Sequence, residues 1–215
     1  MSQLLPEYFR RQDESPDGEF YRQPRLVAHI DDAAIAALGG FVRPLVPDNA
    51  DVLDLMSAFL THLPPDARAR CRSVVGLGMS DAEMAANVQL TGHVAHDLNR
   101  DPTLPFADEL FDAALCTVSV QYLQHPEEVF AEVCRVLRPG APFVVSFSNR
   151  CFPTKATRLW LSTDAAPHAA LVRLYFERGG TWDGIEAVDA SPRPGRGDPL
   201  YVVWARKRRP IRYNR

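Results

Sequence analysis

Hydrophobic and polar positions alternate in blocks between residues 94 and 149, and these blocks predict two strands, a crossover helix and a third strand. The apolar runs 111–120 and 143–147 have the length of buried strands. Between them, apolar residues recur at helical spacing across 126–137, a segment that opens with Pro-Glu-Glu and ends before Pro139-Gly140. Because a helical crossover joins parallel strands, this part of the sheet is predicted to be parallel.

The rest of the chain gives weaker versions of the same two patterns. Asp31 is a plausible N-cap for a helix that Gly39-Gly40 would stop, and Ser80 begins a second helix in capping-box style. The remaining predicted elements are strands at 51–55, 73–77, 94–98, 187–189 and 200–205, and a broken helix at 159–176. Strands alternating with helices indicate an α/β fold.

Composition limits the classes of function. A chain of 215 residues with 46% hydrophobic residues can bury one core, so one domain with appended segments is expected. A net charge of −3 gives no reason to expect nucleic acid or a membrane as a partner, and no run is long enough to span a bilayer. The first 25 residues are too polar for a signal peptide, so we expect a cytoplasmic protein. The four cysteines lack metal-ligand spacing; no metal is expected, and Cys116 and Cys134 should be core residues.

Three motifs fall in order in the central part of the chain. They are Leu-Pro-Phe at 104–106, Phe-Asp-Ala-Ala-Leu at 111–115 and Glu-Val-Cys-Arg-Val-Leu-Arg-Pro-Gly at 132–140. Together they resemble class I S-adenosylmethionine (SAM)-dependent methyltransferases of the small-molecule, quinone-biosynthesis type. The resemblance implies a Rossmann-like, seven-stranded, mostly parallel sheet in the order 3-2-1-4-5-7-6, with helices on both faces and an N-terminal helical cap. The implied organisation is an arm and cap helix at 1–45, the methyltransferase domain at 46–206 and a basic, solvated tail at 207–215.

The resemblance also implies SAM as cofactor and places its site after the first strand. Asp54 matches the carboxylate that helps to hold the SAM amino group. The family has a glycine-rich turn next, where this chain has Met56, Ser57 and Ala58. Small side chains can still admit a ligand, although the backbone must follow a different path.

Later strands carry the other implied cofactor contacts. Gly78 stands where the family has an acidic residue that chelates the ribose, and Met79 matches a position that packs on adenine. Met79 could equally be an ordinary residue at a helix start. Asp97 and the Leu98 N–H match the adenine-binding pair, although Asp97 could instead cap a turn. Thr117, after the fourth strand, is the last cofactor candidate.

Candidate acceptor-side residues follow strands four and five or precede the first helix. His29 and Tyr122 are the catalytic candidates, because an imidazole can orient or deprotonate an acceptor and a phenol can hydrogen-bond it. His29 could equally fix a helix start, and Tyr122 could be a core aromatic residue. Gln121, Asn149 and Arg150 are candidate substrate-binding residues.

Two functions of different classes fit this sequence. The first is a SAM-dependent methyltransferase acting on a small molecule, and the scarcity of bases favours a soft nucleophile such as a thiol. The second is a methyltransferase-fold protein that binds a ligand or partner without catalysis. The turn without glycine and the missing acidic residue at Gly78 motivate this alternative.

Overall fold

The computed structural model describes residues 4–210, which build around one seven-stranded sheet. The strands are β1 (Asp51–Leu55), β2 (Ser73–Gly78), β3 (Gly92–Ala95), β4 (Ala113–Thr117), β5 (Pro142–Phe147), β6 (Trp182–Asp189) and β7 (Tyr201–Lys207). Their order is β3-β2-β1-β4-β5-β7-β6, with β1 to β5 parallel and β7 antiparallel to both of its neighbours. The fold implied by the sequence is confirmed.

Helices cover both faces of this sheet. They are α1 (Asp17–Phe20), α2 (Asp32–Val42), α3 (Ala67–Arg70), α4 (Asp81–Ala85), α5 (Pro126–Val136), α6 (Arg158–Leu161) and α7 (Ala165–Arg178), with 3-10 turns at Pro6–Phe9 and Val120–Tyr122. On one face, Phe130 of α5 meets Phe143 of β5 and Phe176 of α7. On the other, Leu38 of α2 joins a separate core with residues of β1 and β4. None of the helices within residues 4–210 is long and apolar enough to cross a membrane.

The first long helix differs in two ways from expectation. Asp31 caps it as predicted, since its Oδ1 accepts from the Ala34 N–H at 2.9 Å. However, the helix continues through Gly39 and Gly40 to Val42. A Cβ at Gly39 would lie 3.5 Å from the Pro64 Cα, so tertiary packing on the neighbouring loop keeps the helix going. The helix lies against a face of the sheet rather than over the cavity described below.

Two strands end earlier than predicted. β3 ends at Ala95, so Asp97 lies two residues beyond the strand that it was expected to close. β4 ends at Thr117, because Val118 has φ 46° and turns the chain away from the sheet. A β-branched residue in the left-handed region is strained, which marks this turn as one imposed by its surroundings.

Two further regions are the loop after β1 and the basic residues near the C-terminus. The loop after β1 carries only the short helix α3, which begins just after Pro64-Pro65. The basic residues near the C-terminus are anchored rather than solvated: Arg206 donates to the Gly140 carbonyl, and Lys207 Nζ donates to the Leu137 carbonyl at 2.7 Å. Residues 211–215, which include the last two arginines of the predicted tail, lie outside the described residues.

Candidate functional site

A cavity of about 520 Å³ opens at the carboxyl ends of β1, β2, β3 and β4. This is the edge where open α/β sheets bind ligands, and the volume is within the range of small-molecule sites. Two groups of residues enclose it. One comes from the strand ends, and the other comes from a segment before α2 together with the loop after β5.

The first group, called the sheet-edge wall below, consists of Asp54, Met56, Ser57, Ala58, Gly78, Met79, Asp97, Leu98 and Thr117. These are the nine residues that the resemblance assigned to the cofactor. Parallel pairing in register brings them together, because Leu55 lies opposite both Leu77 and Cys116. The structure therefore places all nine around one cavity.

The turn after β1 runs directly over Gly78. Met56 adopts φ 56°, the left-handed conformation that favours glycine, and the Ser57 N–H donates to the Leu77 carbonyl at 2.8 Å. A Cβ built at Gly78 would lie 2.1 Å from the Ser57 carbonyl oxygen. The main chain thus occupies the space into which a ribose-binding carboxylate would project.

Asp54 is buried beneath the same turn. The carboxylate is 3% exposed and accepts a hydrogen bond from Ser57 Oγ at 2.5 Å. Burial raises the pKa of Asp54 to about 7, against the opposing hydrogen bonds from Ser57 and Thr61. At neutral pH the group is poised between its two forms, so a cation bound beside it would favour the carboxylate.

Asp97 performs the turn-capping role that was left open. Its Oδ1 accepts from the Asn99 N–H at 3.0 Å and from the Arg100 N–H at 3.3 Å. Both bonds use the same carboxylate oxygen, and Asp97 also lines the cavity. The capping and adenine-binding roles are therefore compatible.

The second group closes the cavity from the opposite side and is called the arm wall. It consists of Arg11, Asp17, Tyr21, Arg25, His29 and Asp31 from the arm, residues 11–31, with Phe152 and Lys155 from the loop after β5. Lys155 is 1% exposed, and its Nζ donates to the Ser15 carbonyl at 2.7 Å and lies 3.3 Å from an Asp17 oxygen. Arg11 pairs with Asp17 at 2.8 Å. This buried ionic cluster fastens the arm over the cavity.

The two catalytic candidates both lie at the cavity. His29 meets the Phe152 ring edge-on, with centroids 5.7 Å apart; burial lowers the pKa of His29, and the nearby Glu83 carboxylate opposes this shift. The Tyr122 hydroxyl accepts from the Phe152 N–H at 2.8 Å, and burial raises the pKa of Tyr122 to about 12. Tyr122 is therefore a neutral hydrogen-bond donor at neutral pH rather than a base.

The three substrate-binding candidates differ in whether they line the cavity. Arg150 lines the cavity, with its Nε 2.7 Å from Asp198 Oδ1. Gln121 is buried outside the cavity lining and donates to the Val118 carbonyl at 2.8 Å. Asn149 is exposed and is not part of the lining. Of the three, the geometry leaves only Arg150 able to reach a ligand in this cavity.

Among the cavity residues that were not identified from the sequence are Tyr21, His62, Glu83 and Lys155. Lys155 and Tyr21 lie far from the motifs, and only folding brings them there. Glu83 was recognised as part of a capping box, but its carboxylate also accepts from the Arg25 N–H at 2.8 Å and so anchors the arm. His62 had one usable signal, a histidine in a proline-rich loop just after the predicted cofactor turn.

Comparisons with known proteins agree with this geometry. Residues 58–145 match a family model described as a methyltransferase domain. The chain is 41% identical over 44 residues to the biotin biosynthesis bifunctional protein BioHC of Teredinibacter turnerae and 52% identical over 42 residues to sterol methyltransferase-like 1 of Botryococcus braunii. Each match covers 20% of this chain but only 8% and 11% of those proteins.

Solved structures extend the likeness to most of the fold. The [4+2]-cyclase SpnF superposes with a TM-score of 0.60 at 16% identity, covering 89% of this chain and 92% of the cyclase. Further solved structures of this fold include SAM-dependent methyltransferases. At such identities the likeness shows the fold, and that fold is the class I methyltransferase fold.

Proposed function

The chain has the class I methyltransferase fold and a methyltransferase domain match at residues 58–145, and from this premise we propose that it is a SAM-dependent methyltransferase with a small-molecule acceptor. The observation that carries the proposal is the sheet-edge wall, in which nine residues from four strand ends surround one cavity. The arm wall encloses the same space, which favours a small acceptor over a macromolecule.

The cavity fits the two ends of this cofactor better than its middle. Asp97, Leu98 and Met79 would hold the adenine ring, with the thioether against its face. Asp54, poised near neutral pH, would hold the ammonium group of the methionine part. The ribose would meet the backbone of Ser57 instead of a carboxylate, because Gly78 has no room for a side chain.

The protein's own contribution to methyl transfer is positioning and exclusion of water. Bound SAM supplies an electrophilic methyl group on a sulfonium. The arm wall would exclude water from this group, and Tyr122, with its hydroxyl proton not used by Phe152, would orient the acceptor. The scarcity of bases in the sequence favours a soft nucleophile such as a thiol. His29, at the cavity wall, is the imidazole that could serve a hydroxyl acceptor instead.

Calorimetry with SAM and with its demethylated product, S-adenosylhomocysteine, tests the proposal directly. We expect binding of both, and transfer of a labelled methyl group to a small molecule when acceptors are supplied. The matched control is Asn149→Ala, an exposed change outside the cavity. Absence of binding to the native protein at millimolar concentration of either compound would reject the proposal.

A second function remains supported by a specific observation. Because the Ser57 carbonyl fills the place of the ribose carboxylate, the cavity could hold another ligand, and the protein would be a methyltransferase-fold binding protein or partner subunit. The likeness to a cyclase supports this alternative, because fold alone does not fix the reaction. Binding of SAM without methyl transfer to any acceptor would favour it.

We also propose a cytoplasmic location. Its support is that Cys71, Cys116, Cys134 and Cys151 are free thiols, and the first three are buried. Thiols are kept reduced in that compartment. Cell fractionation with an antibody against the protein tests this location.

A further inference from the structure

His62 is a buried imidazole without a hydrogen-bond partner in the wall of the cavity. It is 5% exposed, and neither Nδ1 nor Nε2 makes a hydrogen bond within the described residues. The Leu60 backbone lies near the ring without reaching hydrogen-bond geometry. Buried polar groups are normally satisfied, so an unpaired imidazole in a cavity wall calls for a partner from outside the chain.

The backbone holds His62 in a costly conformation. Its φ is 39°, in the left-handed region that residues other than glycine seldom adopt. Strained backbone conformations of this kind are found mainly at functional sites such as ligand-binding sites, where the surrounding structure holds them in place. The strain and the unpaired nitrogens are independent observations on one residue, and both point to binding.

Aromatic rings connect His62 to the acceptor side of the cavity. His29 is close enough that its charge lowers the pKa of His62, and His29 in turn meets Phe152. Phe152 stacks on Tyr122 with ring centroids 6.0 Å apart. These side chains offer ring faces and edges to an aromatic ligand, since aromatic groups pair by stacking or edge-to-face contact.

Charges around the cavity favour a neutral ligand. Arg11 is paired with Asp17, Arg150 with Asp198, and Lys155 with Asp13 and Asp17. Arg25 donates to the Phe20 carbonyl and lies over the Phe20 ring. Since carboxylates already pair with three of these four cations, their attraction for an anionic acceptor is reduced.

We propose that His29 and His62 form a two-imidazole subsite that binds the hydroxyl of a neutral phenolic acceptor, and this proposal rests on the proposed methyltransferase function. His29 takes the proton, since Glu83 can stabilise the imidazolium that forms. His62 stays neutral and hydrogen-bonds the acceptor oxygen. Burial and His29 together lower the pKa of His62 to about 4, which is consistent with this division of roles.

The step balances with SAM as the methyl donor. The acceptor O–H bond breaks and its proton passes to His29. The oxygen forms a bond to the methyl carbon, while the carbon–sulfur bond breaks and its electron pair stays on sulfur as a thioether. His29 then releases the proton to solvent. Charged or titratable groups lie near the two imidazoles: Glu83 and Arg25 are beside His29, and His29 is beside His62.

The test uses para-nitrophenol as probe at a pH below its own pKa, where its hydroxyl is protonated, with para-nitroaniline and nitrobenzene as matched neutral ring compounds, in the presence of S-adenosylhomocysteine. Imidazole nitrogen NMR follows both rings in native protein. We expect para-nitrophenol to bind in preference to the other two and to shift the His62 ring nitrogens while leaving the ring neutral. His62→Phe should weaken this probe about tenfold, the value of a lost hydrogen bond, with S-adenosylhomocysteine affinity unchanged.

The control variant is His93→Gln, which alters a histidine outside the cavity that contacts Asp81. It should bind para-nitrophenol like the native protein. The inference is overturned if para-nitrophenol does not bind, if it binds His62→Phe as well as native protein, or if a bound water alone satisfies the ring. Failure of S-adenosylhomocysteine to bind would instead reject the proposed function, because probe binding and the NMR shifts are read separately.

Discussion

The two walls of the cavity are held in place by different physics. The sheet-edge wall is fixed by backbone pairing of parallel strands, and its residues follow strand ends in a regular register. The arm wall is fixed by side chains, chiefly the Lys155 cluster and the Glu83 contact with the Arg25 N–H. Backbone register survives most substitutions, whereas a side-chain cluster depends on a few residues.

This difference predicts where the molecule tolerates change. A substitution in the sheet-edge wall should alter cofactor affinity or local strain, with the sheet intact. A substitution in the ionic cluster should release the arm and open the cavity. The four predictions below test this contrast, beginning with the largest expected effect.

Asp54→Asn should reveal the cost of burying a carboxyl group in the sheet-edge wall. The folded pKa of about 7 is above the ordinary value of 3.8 for an aspartate, so between these two pH values native Asp54 keeps a proton that the unfolded chain has lost. The contribution of Asp54 to the unfolding free energy therefore falls as pH rises from 3.8 to about 7, and it is constant above that range. The stability of Asp54→Asn relative to native protein should rise by on the order of 4 kcal/mol across this pH range.

Urea unfolding at several pH values measures this difference. The native curve alone is not diagnostic, because His62, with its lowered pKa, stabilises the fold as pH rises in part of the same range. Only the difference between variant and native protein isolates Asp54. A difference that does not change with pH would show that Asp54 is ionised in the folded protein.

Lys155→Met should release the arm wall. Removing one partner of a buried ionic cluster leaves Asp13 and part of Asp17 uncompensated, and we expect a loss of about 2 kcal/mol, below the usual range because Arg11 remains on Asp17. Limited proteolysis should then cut the arm. Arg208→Met is the control, since its pair with Asp183 is exposed and should contribute less than about 1 kcal/mol. An arm that stays protease-resistant in Lys155→Met would contradict this account.

Gly78→Asp should damage the site rather than restore a family feature. The new Cβ would meet the Ser57 carbonyl oxygen at 2.1 Å, so the turn must move, at a cost of about 2 kcal/mol and with loss of SAM binding. Gly92→Asp is the matched control, because a Cβ there has nothing within 4 Å. Normal stability with tighter SAM binding would show that the turn adapts and that the ribose carboxylate can be restored.

Asp97→Asn should weaken SAM with the least effect on the fold. Asparagine keeps an oxygen for the Asn99 and Arg100 N–H groups, so the turn should survive, while the charge that would accept from the adenine amino group is lost. We expect about 1.5 kcal/mol weaker binding by calorimetry. Cys134→Ala, a change in α5 away from the cavity, is the control. Equal affinities in the two variants would exclude Asp97 from adenine binding.

The two walls also differ in how far their residues could be predicted from the sequence. The resemblance assigned Asp54, Gly78 and Asp97 to the cofactor; the hydrophobic pattern shows only that each lies at or near a strand end, and parallel pairing places such ends at one edge. Gln121 and Asn149 follow strand ends too, yet they miss the cavity. The turn at Val118, with φ 46°, redirects the chain just before Gln121, and no local pattern encodes that conformation.

What the sequence determined by itself was the order and type of the elements: short apolar runs, a capped and proline-led helix, and motifs that imply the strand order found. These features depend on residues close together in the chain. Tertiary structure alone decided that α2 continues through its glycines, that the Ser57 backbone fills the space beside Gly78, and that Lys155 ties down the arm. Each of these depends on contacts between residues distant in sequence, whose packing and buried charges outweigh local preference.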